Sequence, residues 1–219
     1  MINIDLHVHS YASPDSCNTP AQILARMDRL GLDMVAITDH NAIKGALEAR
    51  SLAPERVIVG EEIKTTHGEL IAYFVQDLIP PHLSPQETIA CVRDQGGIVA
   101  VSHPLDVIRS EAMGRQRVLE ILDRVDALEV FNARCLLPRY NRQADALARA
   151  HHLPGTAGSD AHSLYELGFA YLEMEPFAGP DAFLVNLAHA RIVGRLSPAF
   201  VHLFSKFARW KKRFSFRKE

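Results

Sequence analysis

The sequence predicts a mainly parallel α/β fold, on two observations. Short apolar runs alternate with helical patterns from one end of the 219-residue chain to the other, the order that strand–helix units produce. The conspicuous polar residues, mostly histidines and carboxylates, fall where the apolar runs end.

Taken in order, INIDLH reads as the first strand. Thr19 and Pro20 open a helix with apolar positions at Ile23, Leu24, Met27 and Leu30, and Gly31 stops it. MVAITDH is a strand with a polar end, 42–52 a second helix, and VIVGEEIKT a third strand. Residues 69–75 read as its hairpin partner across a His67-Gly68 turn. Ser84, Pro85 and Glu87 form a capping box for a helix that Gly96 ends. IVAVSH is a strand, a helical stretch follows near Val118 to Leu122, and ALEVFN is another strand. Residues 141–151 are helical, PGTAGSDAH is a strand running into a loop, and 180–190 are helical again. Phe200, Leu203, Phe204 and Phe207 stand at helical spacing and predict a closing helix.

Composition limits the class. Apolar residues make up 47% and charged residues 23%, which fits a soluble globular protein and excludes a disordered or fibrous one. No run approaches the roughly 20 apolar residues needed to cross a bilayer, and the N-terminus reads as lacking a secretory signal. Cys17, Cys91 and Cys135 are scattered and odd in number, as expected of reduced thiols in the cytoplasm. The net charge of −2 is uneven: from residue 205 onward seven basic residues face one acidic, a balance of +6, which leaves −8 on the rest. An acidic body is a poor nucleic-acid surface. The basic run itself is read as a solvated end in preference to a contact for RNA or anionic lipid.

The strand ends carry the chemistry. His7 and His9 close the first strand, Asp39 and His40 the second, and Glu61 and Glu62 the third. His103 ends IVAVS, Asn132 ends ALEVF, and Asp160 and His162 follow TAGS. In a parallel barrel such ends converge on one mouth. Burying so many imidazoles and carboxylates together requires a bound cation. Residues i and i+2 of a strand share a face, so His7 and His9 can offer two ring nitrogens to one ion. Imidazole plus carboxylate without thiolate suits Zn²⁺, Mn²⁺ or Fe²⁺. The number of candidates asks for two or three ions, with Glu62 as a natural bridge. Asp39 is read as orienting a ligand histidine. His67, His82, His151, His152, His189 and His202 are read as surface or packing residues.

DLHVHS, Asp15, ITDHN, GEEI, SHP and GSDAH together resemble the polymerase and histidinol phosphatase (PHP) family of metal-dependent phosphoesterases, from Met1 to about Val193. The resemblance implies a distorted (β/α)7 barrel with a trinuclear site at the carboxyl ends of its strands. One such domain is expected over 1–195, followed by a C-terminal helix and basic tail over 196–219. Carried over by position, His7, His9, Glu62 and Asp160 would hold the first ion, Glu62 and His103 a second, and Asp15, His40 and His162 a third. Gly60 and Ile63 around Glu62 match the family's Gly-x-Glu-Ile. Many members have a further histidine at the end of the hairpin strand, where this chain is read as having Val75.

The implied activity is hydrolysis of a phosphate ester, most simply a small phosphomonoester such as a nucleotide or nucleoside bisphosphate. Glu62, His103 and His162 are expected in catalytic roles, with Asn132 and Arg134 binding substrate through an amide and a guanidinium fork. The rivals are an exonuclease on RNA or oligonucleotide ends, and a catalytically weak metal-binding partner domain.

Overall fold

The computed structural model describes residues 1–215 of the chain. Nine strands form one sheet: β1 (Ile2–Val8), β2 (Met34–Ile37), β3 (Val57–Thr65), β4 (Gly68–Tyr73), β5 (Ile98–Val101), β6 (Ala127–Asn132), β7 (Gly155–Gly158), β8 (Ala170–Met174) and β9 (Arg191–Gly194). The helices are α1 (Pro20–Leu30), α2 (Lys44–Leu52), α3 (Pro85–Asp94), α4 (Arg115–Leu119), α5 (Pro138–Ala150), α6 (Gly179–Leu187) and α7 (His202–Ser215). Both helix starts with the clearest sequence signals are capped as expected. Thr19 with Gln22 and Ser84 with Glu87 exchange reciprocal capping-box bonds at the N-termini of α1 and α3.

The strand order is β7-β6-β5-β4-β3-β2-β1-β8-β9. The two ends of the first seven strands meet: Val8 pairs in parallel with Ala161, and the His9 N–H donates to the Ala161 carbonyl at 3.0 Å. The result is a nearly closed barrel. A side chain at Gly158 would fall 2.3 Å from the His7 Cβ, so glycine is what lets β7 approach β1 there. β4 runs antiparallel to both neighbours, as the hairpin reading expects. β8 and β9 add an antiparallel extension beyond β1. β9 gives little sequence signal, since Ile192 and Val193 lie between exposed positions, whereas β8 (AYLEM) alternates buried and half-buried residues.

Alternate residues of each barrel strand divide between two cores. Val35, Val57, Val59, Leu70, Val99 and Leu128 face outward, in a cluster with Ile23, Met27, Ile89 and Leu147 of the helices. Ala36, Ile58, Ile71, Tyr73, Ile98, Ala100 and Ala127 belong to a second cluster with Phe183. Followed two residues at a time, this second face becomes polar: Ala36 leads to Thr38 and His40, Ile58 to Gly60 and Glu62, Ala100 to Ser102, and Ala127 to Glu129. In β4 the same face runs in reverse, from Tyr73 and Ile71 back to Glu69. The interior is thus apolar at one end and polar at the other, and the polar end is the mouth.

Candidate metal centre

The parity of β3 separates its two glutamates. Glu62 faces the mouth, whereas the Glu61 carboxylate lies on the other side of the strand and accepts the Ile79 N–H at 3.0 Å. Burial pushes the Glu61 carboxyl up to about 7. Glu62 Oε2 lies 3.3 Å from His7 Nε2, 3.5 Å from His9 Nε2 and 3.0 Å from His40 Nδ1, and Oε1 lies 3.2 Å from His103 Nε2. Ser102 Oγ donates to Oε1 at 2.6 Å.

His7 and His9 point their Nε2 atoms to one spot, 3.1 Å apart, and each ring is held from behind. His7 Nδ1 donates to Glu129 Oε1 at 2.8 Å, and His9 Nδ1 lies 3.0 Å from Ser13 Oγ. Ser13 Oγ in turn donates to Asp39 Oδ1 at 2.7 Å. Asp39 therefore steadies His9 through a serine. It also accepts the Ser10 and Ser13 N–H groups and the Ser10 hydroxyl. A proton on Nδ1 leaves Nε2 with a free lone pair, the state a metal ligand needs.

Asp160 Oδ1 lies 3.7 Å from His7 Nε2, 3.3 Å from His9 Nε2 and 3.3 Å from His162 Nδ1. Its Oδ2 accepts Arg109 at 2.6 Å and Asn132 at 3.2 Å. Asp15 Oδ2 lies 3.3 Å from His162 Nε2 and 3.8 Å from His40 Nε2. Asp160 and His103 both hold left-handed backbone, at φ 53° and 27°, a conformation that costs a non-glycine residue and persists where surrounding bonds enforce it.

Chemistry favours cations here. Glu62 Oε2, Asp15 Oδ1 and His103 Nδ1 are buried without a well-directed hydrogen-bond partner among the described residues, and buried polar atoms are rarely left so. Three overlapping groups each bring ligand atoms within 4.8 Å of one another: His7, His9 and Glu62; His9, His40 and His162; and His40, Glu62 and Glu69. These donor sets fit divalent ions.

The eight residues expected as ligands all come together at this mouth. Glu69 was not among them. Its carboxylate oxygens lie 3.5 Å from His103 Nε2 and 3.8 Å from His40 Nδ1. Val75 is not the residue at the mouth, and the expectation that it marks a missing ligand is corrected. An antiparallel strand presents its first residues, not its last, where its partner ends. Val75 is fully buried in the outer core, its N–H bonded to Val59, near the start of β3. It lies beyond the end of β4, past the left-handed Phe74, while Glu69 stands at the strand's opposite end.

Electrostatics follow from this crowding. Burial disfavours charged rings, but Glu62 carries His40 up to about 10. His103 reaches about 9 against burial and Arg109, through Glu62 and Glu69. His7 is likewise raised by Glu62 and Glu129 against burial. His9 falls well below its ordinary value through burial and the neighbouring His162 and His40. Asp15 and Asp160 remain strongly acidic despite burial, held down chiefly by His162 and by Arg109 respectively.

The site opens into a pocket of about 550 Å³ whose walls and rim carry Lys64, Arg109, Arg134, Lys206 and Arg209. Arg134 is where the sequence reading expects a substrate group, although its guanidinium already reaches His162 Nδ1 at 2.6 Å, Ser205 Oγ at 2.7 Å and Glu166 at 3.0 Å. Asn132 lies deeper. Its amide donates to Glu129 and Asp160 and accepts from the Arg134 N–H and Arg109, so it positions ligands behind the pocket wall. Arg109 was missed because it sits in a long loop without a local pattern. Glu129 had a usable signal: it is a lone charge in the middle of ALEVFN, which an apolar strand accommodates only with a partner. His202, read as a packing histidine, lines the pocket beside Arg134, and burial and that guanidinium lower it to about 4.

Comparison with known proteins assigns the family. The model of the PHP domain matches residues 5–158, and that of a PHP-associated segment matches residues 138–192. The chain belongs to the PHP family. With that family it is a metal-dependent phosphoesterase, as its motifs imply. It is 40% identical over 142 residues to an uncharacterized protein of Methanocaldococcus jannaschii, covering 59% of this chain and 81% of that one. It is 26% identical over 251 aligned positions to the probable phosphatase YcdX of Escherichia fergusonii, covering 95% and 99%. Among solved structures it is similar to a two-domain protein of Bacteroides vulgatus described as containing a predicted PHP-like metal-dependent phosphoesterase. That match has a TM-score of 0.70 at 17% identity and covers 89% of this chain and 65% of the other. Among the described residues, no helix is long and apolar enough to cross a membrane.

Proposed function

We propose that this PHP protein hydrolyses a small phosphomonoester, nucleotide-sized, with two or three divalent ions held by His7, His9, Asp15, His40, Glu62, Glu69, His103, Asp160 and His162. One observation carries the reading. Glu62 Oε2 sits within 3.5 Å of three imidazole nitrogens yet accepts no well-directed hydrogen bond among the described residues, at the floor of a pocket with five cationic side chains along its walls and rim. Such a floor suits Zn²⁺, Mn²⁺ or Fe²⁺, and such a rim suits phosphate.

Bound ions would supply Lewis acidity and an activated water. The protein's own residues do the rest. Arg109 and Arg134 flank Asp160 and neutralise charge gathering on phosphoryl oxygens. Whichever of His103 and His162 is not occupied by metal protonates the leaving oxygen. Glu129, Ser13 and Asn132 keep the rings and Asp160 in orientation. A pocket of about 550 Å³ matches a nucleotide better than the several-nucleotide groove that strand binding uses, which ranks exonuclease action second.

The test is a screen of metal-reconstituted protein against mononucleotides, bisphosphates, sugar phosphates and short RNA, beside elemental analysis. At least two metal equivalents per chain and phosphate release from a small monoester are expected. Glu62→Gln should abolish release, while Glu61→Gln, on the other side of β3, should retain most of it. Fewer than one metal equivalent, or release from RNA alone, would overturn the proposal.

A further inference from the structure

α7 lies outside both segments that match the family models, and it packs the wrong way round for an ordinary amphipathic helix. Leu203, Phe204, Phe207 and Trp210 are exposed. His202, Ser205, Lys206 and Arg209 instead line the pocket, at the i, i+3, i+4, i+7 spacing of a single face. This polar face spans roughly 10 Å along the mouth. Polar contacts fix it there: Ser205 Oγ accepts Arg134 Nη2, and Lys212 Nζ donates to the Tyr11 and Ser13 carbonyls. Ala208 is its buried apolar contribution, with Val201 buried in the turn just before it.

The cations on this face differ from those below. Arg134 is buried and Arg109 half-buried, and they are committed to Glu166 and Asp160 respectively. Arg209 bonds Asp15 Oδ2 at 2.8 and 3.3 Å, yet its side chain is 64% exposed. Lys206 is exposed and its ammonium has no hydrogen-bond or ion-pair partner among the described residues. An uncommitted ammonium and a half-committed guanidinium stand one turn apart on a wall of a pocket already supplied with inner arginines, the donor types that a second anion would need.

We propose that α7 determines specificity: Lys206 and Arg209 bind a second phosphate of the substrate at the rim, while the reacting phosphoryl group lies inward at Arg109 and Arg134. The proposal rests on the phosphatase reading and names the kind of monoester preferred, one that carries a further anionic group.

The experiment compares adenosine 3′,5′-bisphosphate with AMP on full-length protein. Dissociation constants are measured by calorimetry after chelation, and kcat and KM after metal loading. Wild type should favour the bisphosphate. Lys206→Gln and Arg209→Gln should each reduce the bisphosphate-over-AMP ratio about tenfold, mostly through KM, the scale of a lost charge-assisted hydrogen bond. Arg213→Gln, which removes the same charge outside the pocket lining, should not change the ratio. Equal preference for the two ligands in wild type would overturn the proposal. So would variants that weaken both ligands alike, or an equal effect of Arg213→Gln. Absence of turnover on both substrates would count against the phosphatase reading, while the binding ratio on chelated protein would still decide the subsite.

Discussion

Glu129→Gln is the sharpest probe of how the barrel prepares its imidazoles. The buried Glu129 accepts His7 Nδ1 at 2.8 Å on one oxygen, and the His103 N–H at 2.7 Å and the Asn132 amide at 3.1 Å on the other. Glutamine keeps the shape but has one acceptor. With its carbonyl toward His103 and Asn132, its NH₂ faces His7 Nδ1, and the His7 proton must move to Nε2, the nitrogen that faces His9 and Glu62. The opposite orientation leaves the His103 N–H and Asn132 amide facing donors, at a cost of about 1–3 kcal/mol. Loss of such a partner behind a ligand histidine typically weakens metal binding about 10- to 100-fold, which is about 1.4–2.7 kcal/mol. Competition of Mn²⁺ or Zn²⁺ against a chromophoric chelator measures this directly, with circular dichroism to establish that the variant folds. An affinity within twofold of wild type would refute the claim that Glu129 sets the His7 tautomer.

Two further expectations follow from the mouth and its charges. Val75→His should lower stability by about 1–3 kcal/mol, since it buries an unpartnered polar ring, and leave metal stoichiometry unchanged. Glu69→Ala should weaken binding of one ion instead, and paired titrations and urea melts distinguish the two. The second concerns pH in metal-free protein. His40 and His103 stand at about 10 and 9, above the ordinary histidine value, so their stabilisation is full below about pH 6.5. It is lost as pH rises through 9 and 10. The depressed carboxyls Asp15 and Asp160 act oppositely, losing their contribution as pH falls below the ordinary carboxylate range. Urea midpoints of chelated protein should therefore be highest between about pH 4 and 6.5 and fall toward pH 10, and a flat profile from pH 6.5 to 10 would contradict the proposed charge network.

Much of the centre is legible in sequence because strand geometry makes it so. HVH at the end of β1 fixes two nitrogens on one face, and the alternation along VIVGEEI selects Glu62 over Glu61 once Ile58 is known to face inward. What escapes does so for physical reasons. Glu69 was hidden by direction: a hairpin strand brings its beginning to the place where parallel strands bring their ends, so a strand-end rule misplaces the search at Val75. β9 is short and largely exposed, without the apolar run that announces the other strands. α7 was read as a helix correctly from its aromatic spacing, but the same pattern suggests an aromatic face packed inward. The structure turns Arg209 and Lys212 inward instead, because the surface beneath them is a ring of carboxylates and carbonyls. The last residues of the basic run, 216–219, lie outside the described residues.

The charge balance of the mouth links these features. Asp15, Glu62, Glu69, Glu129 and Asp160 are all buried there; Arg109 and Arg209 bond Asp160 and Asp15 directly, and Arg134 stands 4.0 Å from Asp160. Without metal the remaining positive charge comes from protons: His7, His40 and His103 are raised by the same carboxylates that they would share with an ion. Protons and divalent cations therefore compete for one set of lone pairs, and loading metal near pH 7.5 must release protons. In titration calorimetry the binding enthalpy should then vary with the ionisation enthalpy of the buffer, with a slope equal to the protons released. At least one proton is expected in wild type. A slope of zero would mean that the histidines are already neutral, and the balance would have to be met elsewhere, with the arginines around Asp160 and Asp15 as the nearest source.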